Sequence, residues 1–426
     1  MISSHHKEPV AQIALDIGST VIKVAQLDNC GGLESQRFFP RDFETSIAHQ
    51  VHDILQSMDI DPNRQTVLTC SSANGGLRVG IVCLSKLFSG AALRNQVLLA
   101  GANPVFVHDF EEARGETRRV DILLVGGGID CIDAQPAAQR LARFDPSRYQ
   151  FGVLVYCGNL YLVNDFVKRF PSAAVINNPL GDSLSSRVSS VFETVRRAYL
   201  EDLVFKEGIS ELPTVLSNCI RPTPEVVCRG FFRSVLNQSS FAIVGSCVAL
   251  DIGGATTDLH YTVEIVSEDS PVRPATGISV ARFVFTDLGI VASRDTLMLQ
   301  MRNHAQLYEL MSVVLGSRAS EAYAALREGE YEPSPALLSY ACLFLALDRF
   351  SKGRGPGLPI GQLDKIAQII LTGGAAQTLD ETVVSRIVNL LLPPTAPAPL
   401  VQVDRRYEIW VAGITWTEDI QTEILT

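Results

Sequence analysis

The order of apolar and polar positions contains one unit written twice. Ile13-Ala-Leu-Asp-Ile-Gly-Ser-Thr-Val-Ile-Lys-Val-Ala-Gln-Leu27 runs apolar strand, aspartate, glycine turn, apolar strand. Val248-Ala-Leu-Asp-Ile-Gly-Gly-Ala-Thr-Thr-Asp-Leu-His-Tyr261 runs the same way. Each predicts a β-hairpin with a carboxylate at the end of its buried first strand. After the first hairpin, residues 33–39 predict a third strand, 47–55 have the apolar spacing of a helix, and 65–70 read as a short buried strand. A strand at 78–84 and a helix at 89–101, closed by glycine, follow.

From there strands and helices alternate. Strands are predicted at 104–107, 120–125, 151–156 and 173–176, separated by a charged helix at 111–119 and helices at 136–144 and 159–170. Strands that are continuous apolar runs between helices imply a parallel sheet covered on both faces. Helices are then predicted at 183–204 and, with Pro222 and Pro224 at its start, from 222 to about 236. Beyond the second hairpin the pattern predicts a strand at 278–284, helices at 291–315, 319–326 and 335–348, and a buried strand at 366–371 that ends in Gly373 and Gly374. A helix at 382–392, a strand at 400–403 and a helix at 407–416 close the reading. Three segments are expected: 1–84, the first half of a core; 85–238, an inserted α/β region partly completing that half; and 239–426, the second half.

Composition narrows the function classes. A 46% hydrophobic fraction over 426 residues supplies large cores, and a formal charge of −10 argues against a broad nucleic-acid or anionic-membrane surface. Nine cysteines are scattered through apolar contexts with no Cys-x-x-Cys pair, which predicts reduced core residues in a cytoplasmic protein. The polar opening Met1-Ile-Ser-Ser-His-His-Lys-Glu8 lacks a signal-peptide core, and 336–347, the longest apolar run, is too short to span a bilayer.

The candidate chemistry sits in the repeated unit. A carboxylate in an apolar strand costs several kcal/mol without a partner, so Asp16 and Asp251 each need one. A strand–Asp–x–Gly turn suits nucleotide phosphates: glycine lets backbone N–H groups approach phosphate oxygens, and the aspartate holds Mg2+ through water. The expected binding residues are Gly18, Ser19, Thr20 and Lys23 in the first hairpin and Gly253, Gly254, Ala255, Thr256 and Thr257 in the second, with Gly373, Gly374 and Ala375 as a third glycine-bearing strand end. Lys23, seven residues after Asp16, occupies the place that matches Asp258 and reads first as a solvated strand lysine. Asp258, seven after Asp251, would orient a water or contact the metal, which makes Asp16, Asp251 and Asp258 the expected catalytic carboxylates. The turn from Ser71 to Leu77 and the loop Gly126-Gly127-Gly128 each read as an anion-binding turn or as simple chain reversal. Gly353-Arg-Gly-Pro-Gly357 reads as a loop, no P-loop or His-Glu-x-x-His motif occurs, and the histidines have no ligand spacing.

The Asp16 hairpin, the Asp251 hairpin and Gly373-Gly374 resemble the two phosphate loops and the adenosine loop of the actin, Hsp70 and sugar-kinase superfamily. Within it, Ser71-Ser-Ala-Asn-Gly-Gly-Leu-Arg78, Asp121-Ile-Leu-Leu-Val-Gly-Gly-Gly-Ile-Asp130, Val155-Tyr-Cys-Gly-Asn159 and Asp251-Ile-Gly-Gly-Ala-Thr-Thr-Asp-Leu-His260 resemble the glutamate mutase accessory (component L) family over residues 11–413. The resemblance implies a duplicated ribonuclease-H-like α/β fold with an inserted parallel α/β region, whose halves close on Mg-ATP or ADP. It also implies a reactivating role toward an adenosylcobalamin-dependent mutase. From the charge and the apolar runs, no nucleic-acid or membrane partner is expected, and a homodimer stays open. A small-molecule kinase and a nucleotide-dependent actin-like scaffold are the alternative readings.

Overall fold

Continuous apolar runs become buried central strands in the computed structural model, which describes residues 12–18, 20–72, 77–110, 116–130, 135–180, 190–206, 212, 216, 220–239, 241–270, 279–355 and 358–416. Strand β1 (Gln12–Ile17) is buried at every position after Gln12. It is antiparallel to β2 (Val21–Leu27), with Asp16 opposite Lys23, and β3 (Leu33–Pro40) continues the sheet beyond β2. On its other side β1 pairs in parallel with β4 (Thr66–Ser71), beside which lies the short edge Arg221–Pro222. Helix Ile47–Ser57 begins where Ser46 accepts the His49 N–H at 3.3 Å, an N-cap that satisfies one orphan donor.

The next five strands, β5 (Arg78–Cys83), β6 (Asn103–Asp109), β7 (Glu116–Gly126), β8 (Tyr149–Tyr156) and β9 (Ala174–Val175), form an all-parallel sheet in the order β6-β5-β7-β8-β9. One side packs an aromatic cluster that includes Phe106, Phe144, Tyr149, Tyr156 and Phe166. The charged helix expected at 111–119 is corrected here. Residues 111–115 lie outside the described residues, and from Glu116 the chain is already strand, pairing Glu116 with Tyr149. Ladder bonds to a neighbouring strand outweigh the helical propensity of a short charged stretch.

A third sheet holds β11 (Cys247–Ile252), β12 (Thr257–Thr262), β13 (Val280–Phe285), β14 (Gln368–Thr372) and β15 (Leu400–Val403), ordered β13-β12-β11-β14-β15. With Arg221–Pro222 as β10, the first sheet reads β3-β2-β1-β4-β10. Both sheets have two antiparallel pairs on one side of the central strand and two parallel pairs on the other. This is the duplicated ribonuclease-H-like arrangement, with the parallel sheet inserted between β4 and β10 of the first copy. The helix expected at 291–315 is two, Arg294–Asn303 and Leu307–Leu315, separated at His304, whose backbone is extended.

The chain divides into two compact units. One takes in 1–75, 200–243 and 405–418, and therefore the first sheet; the other takes in 76–199, 244–404 and 419–426, and therefore the second and third sheets. In the first unit, helix Thr223–Val235 meets helix Glu408–Ile414 at glycines. A Cβ on Gly230 would stand 1.7 Å from the Ile409 oxygen, and one on Gly413 1.8 Å from the Val226 oxygen, so only glycine permits this approach. Of the described cysteines, six are buried as expected, but Cys30 is exposed, in a turn whose N–H groups at Cys30 and Gly32 donate to the Asp28 carboxylate. No described helix is long and apolar enough to cross a membrane.

Candidate functional site: two carboxylate hairpins

In the first hairpin the strand register does the positioning. Cross-strand partners share a sheet face, so pairing Asp16 with Lys23 brings the ammonium onto the carboxylate, and Lys23 Nζ lies 2.6 Å from Asp16 Oδ2. Lys23 is therefore an ion-pair partner, 14% exposed, and not a solvated lysine. Its Nζ also lies 4.7 Å from the centroid of the Tyr407 ring. The other carboxylate oxygen, Oδ1, accepts the Thr223 hydroxyl at 2.6 Å and the Cys70 thiol at 3.4 Å. Trp410 Nε1 donates to the Cys70 sulfur at 3.0 Å. Burial, and then the negative charge of Asp16, push the Cys70 thiol well above its ordinary pKa, so this sulfur is a protonated packing group. The turn depends on Gly18: its N–H donates to the Val21 oxygen at 3.0 Å, and a Cβ would stand 2.6 Å from that oxygen. Arg41 ties the turn down, its backbone N–H donating to the Thr20 oxygen and its guanidinium to the Gly18 oxygen. Ser19 lies outside the described residues.

The second hairpin pairs Asp251 with Asp258, so two carboxylates share one face. The charge that compensates Asp258 comes from the next strand. Arg282 on β13 donates Nε to Asp258 Oδ1 at 2.8 Å, its Nη2 closes a second contact to the same oxygen, and its Nη1 donates to the Leu98 oxygen at 2.6 Å. Both members of this pair are buried. The Thr256 hydroxyl lies 3.4 Å from Asp258 Oδ2. His260, one side-chain position further along the same face, faces Arg282 across the ladder. Burial, and then the Arg282 charge, hold its pKa well below the ordinary value.

The glycine turn of this hairpin is braced by residues 288–293, the segment before helix Arg294–Asn303, whose last three residues the apolar pattern predicts as helix. Gly253 N–H donates to the Thr256 oxygen at 2.9 Å, the Gly254 oxygen accepts the N–H groups of Val291 and Ala292, and the Thr257 hydroxyl donates to the Leu288 oxygen at 2.6 Å. The Ser293 hydroxyl lies 2.6 Å from the Ala255 oxygen. Gly289 packs so closely that a Cβ would stand 2.3 Å from the Ala255 oxygen.

Asp251 is half-buried and stands against the end of β14. Gly373 has φ +87°, and a Cβ there would be 2.1 Å from Asp251 Oδ1. The structure thus brings Asp251, Asp258 and Gly373 together within one unit, with Gly374 and Ala375 entering a short 3-10 turn directly after. Asp404, buried at the end of β15, accepts the Thr372 hydroxyl at 3.0 Å and fixes that strand end. Sequence reading missed Thr223, Cys70, Trp410, Arg282 and Asp404. All are brought to the hairpins by tertiary pairing, and only Thr223, at a proline-marked helix start, carried a local signal.

Of the remaining loops, Gly126-Gly127-Gly128 begins at the last residue of β7, with Gly127 at φ +135° and Gly128 at φ +83°. Residues 73–76 of the Ser71 turn lie outside the described residues, as does Gly357. Gly353, at φ +59°, caps helix Pro335–Lys352.

A family profile described as MutL protein matches residues 12–415. Protein MutL of Clostridium tetanomorphum is 23% identical over 279 residues, which is 62% of this chain, and the match spans 59% of that protein's own length. Among solved structures, the activator of 2-hydroxyisocaproyl-CoA dehydratase from Clostridium difficile, with bound ADPNP, aligns over 95% of this chain and 91% of its own at 9% identity, TM-score 0.33. Component A of the Acidaminococcus fermentans (R)-2-hydroxyglutaryl-CoA dehydratase aligns over 95% of each chain at 9% identity, TM-score 0.34. A ROK family glucokinase from Streptomyces griseus, in complex with glucose and AMPPNP, aligns over 95% of this chain and 98% of its own at 11% identity, TM-score 0.30.

Proposed function

The chain belongs to the MutL protein family, and on that premise we propose that it is an ATP-dependent reactivating factor for an adenosylcobalamin-dependent mutase of the glutamate mutase type. The observation that best supports a nucleotide is the repeated hairpin itself: a carboxylate at the end of a buried strand, followed by a tight glycine turn, which at Gly18 leaves no room for a Cβ. Gly18 to Lys23 would take phosphate oxygens in one unit. Gly253 to Thr257 would do so in the other, with Gly373, Gly374 and Ala375 against the adenosine.

The donor set suits Mg2+, which prefers hard oxygens and keeps several waters. Asp251, half-buried beside Gly373, would hold it through water. Both oxygens of Asp16 already have protein partners at 2.6 Å, so its part would also be outer-sphere. Bound Mg2+ neutralises charge on the phosphates. Asp258, fixed in orientation by Arg282, would use its Oδ2 edge to align the attacking water, and backbone N–H groups would take up charge on the transferred phosphoryl. Slow hydrolysis would then switch a conformational state that acts on the mutase.

The test is recovery of activity. An adenosylcobalamin-dependent mutase inactivated by damaged cofactor is incubated with this protein, Mg-ATP and fresh cofactor. Recovery that needs ATP and is abolished by Asp251→Ala is the expected result. A mutase that stays inactive, while a sugar, polyol or carboxylate raises ATP consumption by orders of magnitude, would overturn the reading in favour of a kinase.

A further inference from the structure

The parallel sheet holds a feature that the nucleotide reading does not use. Its order, β6-β5-β7-β8-β9, means that the chain leaves β5 in one direction to form β6, then crosses back to lay β7 on the other side of β5. In such open sheets the two connections diverge at the carboxyl ends of the neighbouring strands and leave a crevice there, which is where α/β folds of this winding take their ligands. A cavity of about 240 Å3 sits at that point, walled by Leu84 and Phe88 after β5, Ile129 after β7, and Pro136, Ala137 and Leu180.

The walls are preformed. Leu84 N–H donates to the Gly126 oxygen at 3.1 Å and Asn159 N–H to the Gly127 oxygen at 2.9 Å. Asn159 Nδ2 donates to the Ile129 oxygen at 2.7 Å, and Asn178 Nδ2 to the Gly128 oxygen at 2.8 Å. A Cβ on Gly127 would stand 2.4 Å from that of Leu84, so the glycine loop is what lets the two walls meet. Two polar side chains in the lining are committed to the wall: Ser89 accepts the Ser85 N–H and bonds the Ser85 oxygen, while Asn159 Oδ1 accepts the Tyr161 N–H. Among the described residues none that lines the cavity is charged. Recognition here rests on apolar contact and shape. The lining residues Phe88 and Asn159 adjoin large apolar groups in water: Phe88 itself and Leu87 are 54% and 49% exposed, and Leu160 and Tyr161, directly after Asn159, are 65% and 68% exposed. Exposed apolar groups next to an apolar cavity extend the surface that a ligand can cover.

We propose that this switch-point cavity binds the uncharged planar ring, one or two fused aromatic or heteroaromatic rings, of a small molecule whose remainder lies across the Leu87–Phe88 and Leu160–Tyr161 flanks. The size fits: an apolar cavity of roughly 150 Å3 accepts benzene, and this one is larger by about one further ring. The site shares no residue with the hairpins, so it stands or falls independently of the nucleotide.

5-Fluoroindole serves as the probe, added to the full-length protein and followed by fluorine NMR line width, with Mg-ATP calorimetry run alongside. Saturable binding in the range of about 1 mM or tighter is expected. Phe88→Ala, a change at an exposed position, is expected to weaken it about tenfold with an unchanged unfolding temperature. Ala137→Leu, which fills the cavity, is expected to abolish it while leaving Mg-ATP binding intact. If Ala137→Leu does not fold, Phe88→Ala alone decides. Absence of saturable binding to the wild type, or equal binding to wild type and Phe88→Ala, overturns the proposal.

Discussion

The two hairpins share their lettering through Asp-Ile-Gly and differ in how they hold a carboxylate. In the first, the strand-end aspartate is neutralised inside its own hairpin: Lys23, its cross-strand partner, takes one oxygen, and the Thr223 hydroxyl takes the other. In the second, the cross-strand partner is another acid, and a cation arrives from β13 to hold Asp258, while Asp251 stands half-buried against Gly373. A repeated motif thus fixes a backbone shape without fixing its electrostatics. Of the two strand-end carboxylates, Asp251 is the one that stands against a strand end closed by glycine.

The largest effect that bears on this contrast is expected at Arg282. Arg282→Met leaves Asp258 buried without its cation, which costs about 3–5 kcal/mol when one member of a buried pair is removed. Denaturant unfolding measures it, and the double variant Arg282→Met, Asp258→Leu is expected to recover most of the loss. A single-variant cost below about 1 kcal/mol would mean that the ion pair is not what makes the second hairpin different.

Next in size is Gly373→Ala. At φ +87° and 2.1 Å from Asp251 Oδ1, the added methyl group is expected to cost roughly 1–3 kcal/mol and to displace the carboxylate. Gly374→Ala, at φ −62°, is expected to be tolerated. Equal tolerance of both changes would separate Asp251 from the strand end. Lys23→Met is expected to cost about 1–3 kcal/mol, since Asp16 keeps the Thr223 hydroxyl but loses a charged donor.

The smallest effect is a pH dependence confined to the second hairpin. His260 has its folded pKa depressed below the ordinary 6.5, so the fold favours its neutral form. Its contribution is fully present above about pH 6.5 and is lost as the pH falls below that, where the unfolded chain takes up the proton first, with a slope of at most about 1.4 kcal/mol per pH unit. The corresponding position of the first hairpin is Ala25, which does not titrate. His260→Leu is expected to flatten the stability profile between pH 6.5 and 5, and an unchanged slope would assign it to other groups.

Much of this was legible in the chain. Hairpins and inner strands announce themselves because a strand buried on both faces must be apolar throughout, and an aspartate in such a strand is conspicuous. Gly373 was readable for a related reason, as a glycine closing a buried strand. Arg282 was not, because in a single sequence an arginine amid the apolar run Val280–Phe285 has no visible partner until β13 is laid on β12. Nor was the return of the last helix to the first unit, where Arg233 donates to the Ala412 oxygen, 179 positions away. The charged stretch before Val120 was misread as helix because its strand character comes from pairing with β8, not from its own residues.

The central claim is that these hairpins bind Mg-ATP through Asp251, and isothermal titration of Mg-ATP into the wild type and Asp251→Ala tests it most directly. Saturable binding by the wild type is expected, weakened tenfold or more, about 1.4 kcal/mol, in an Asp251→Ala variant that unfolds at the wild-type temperature. Absence of binding by the folded wild type, or equal affinity in the two proteins, would contradict it.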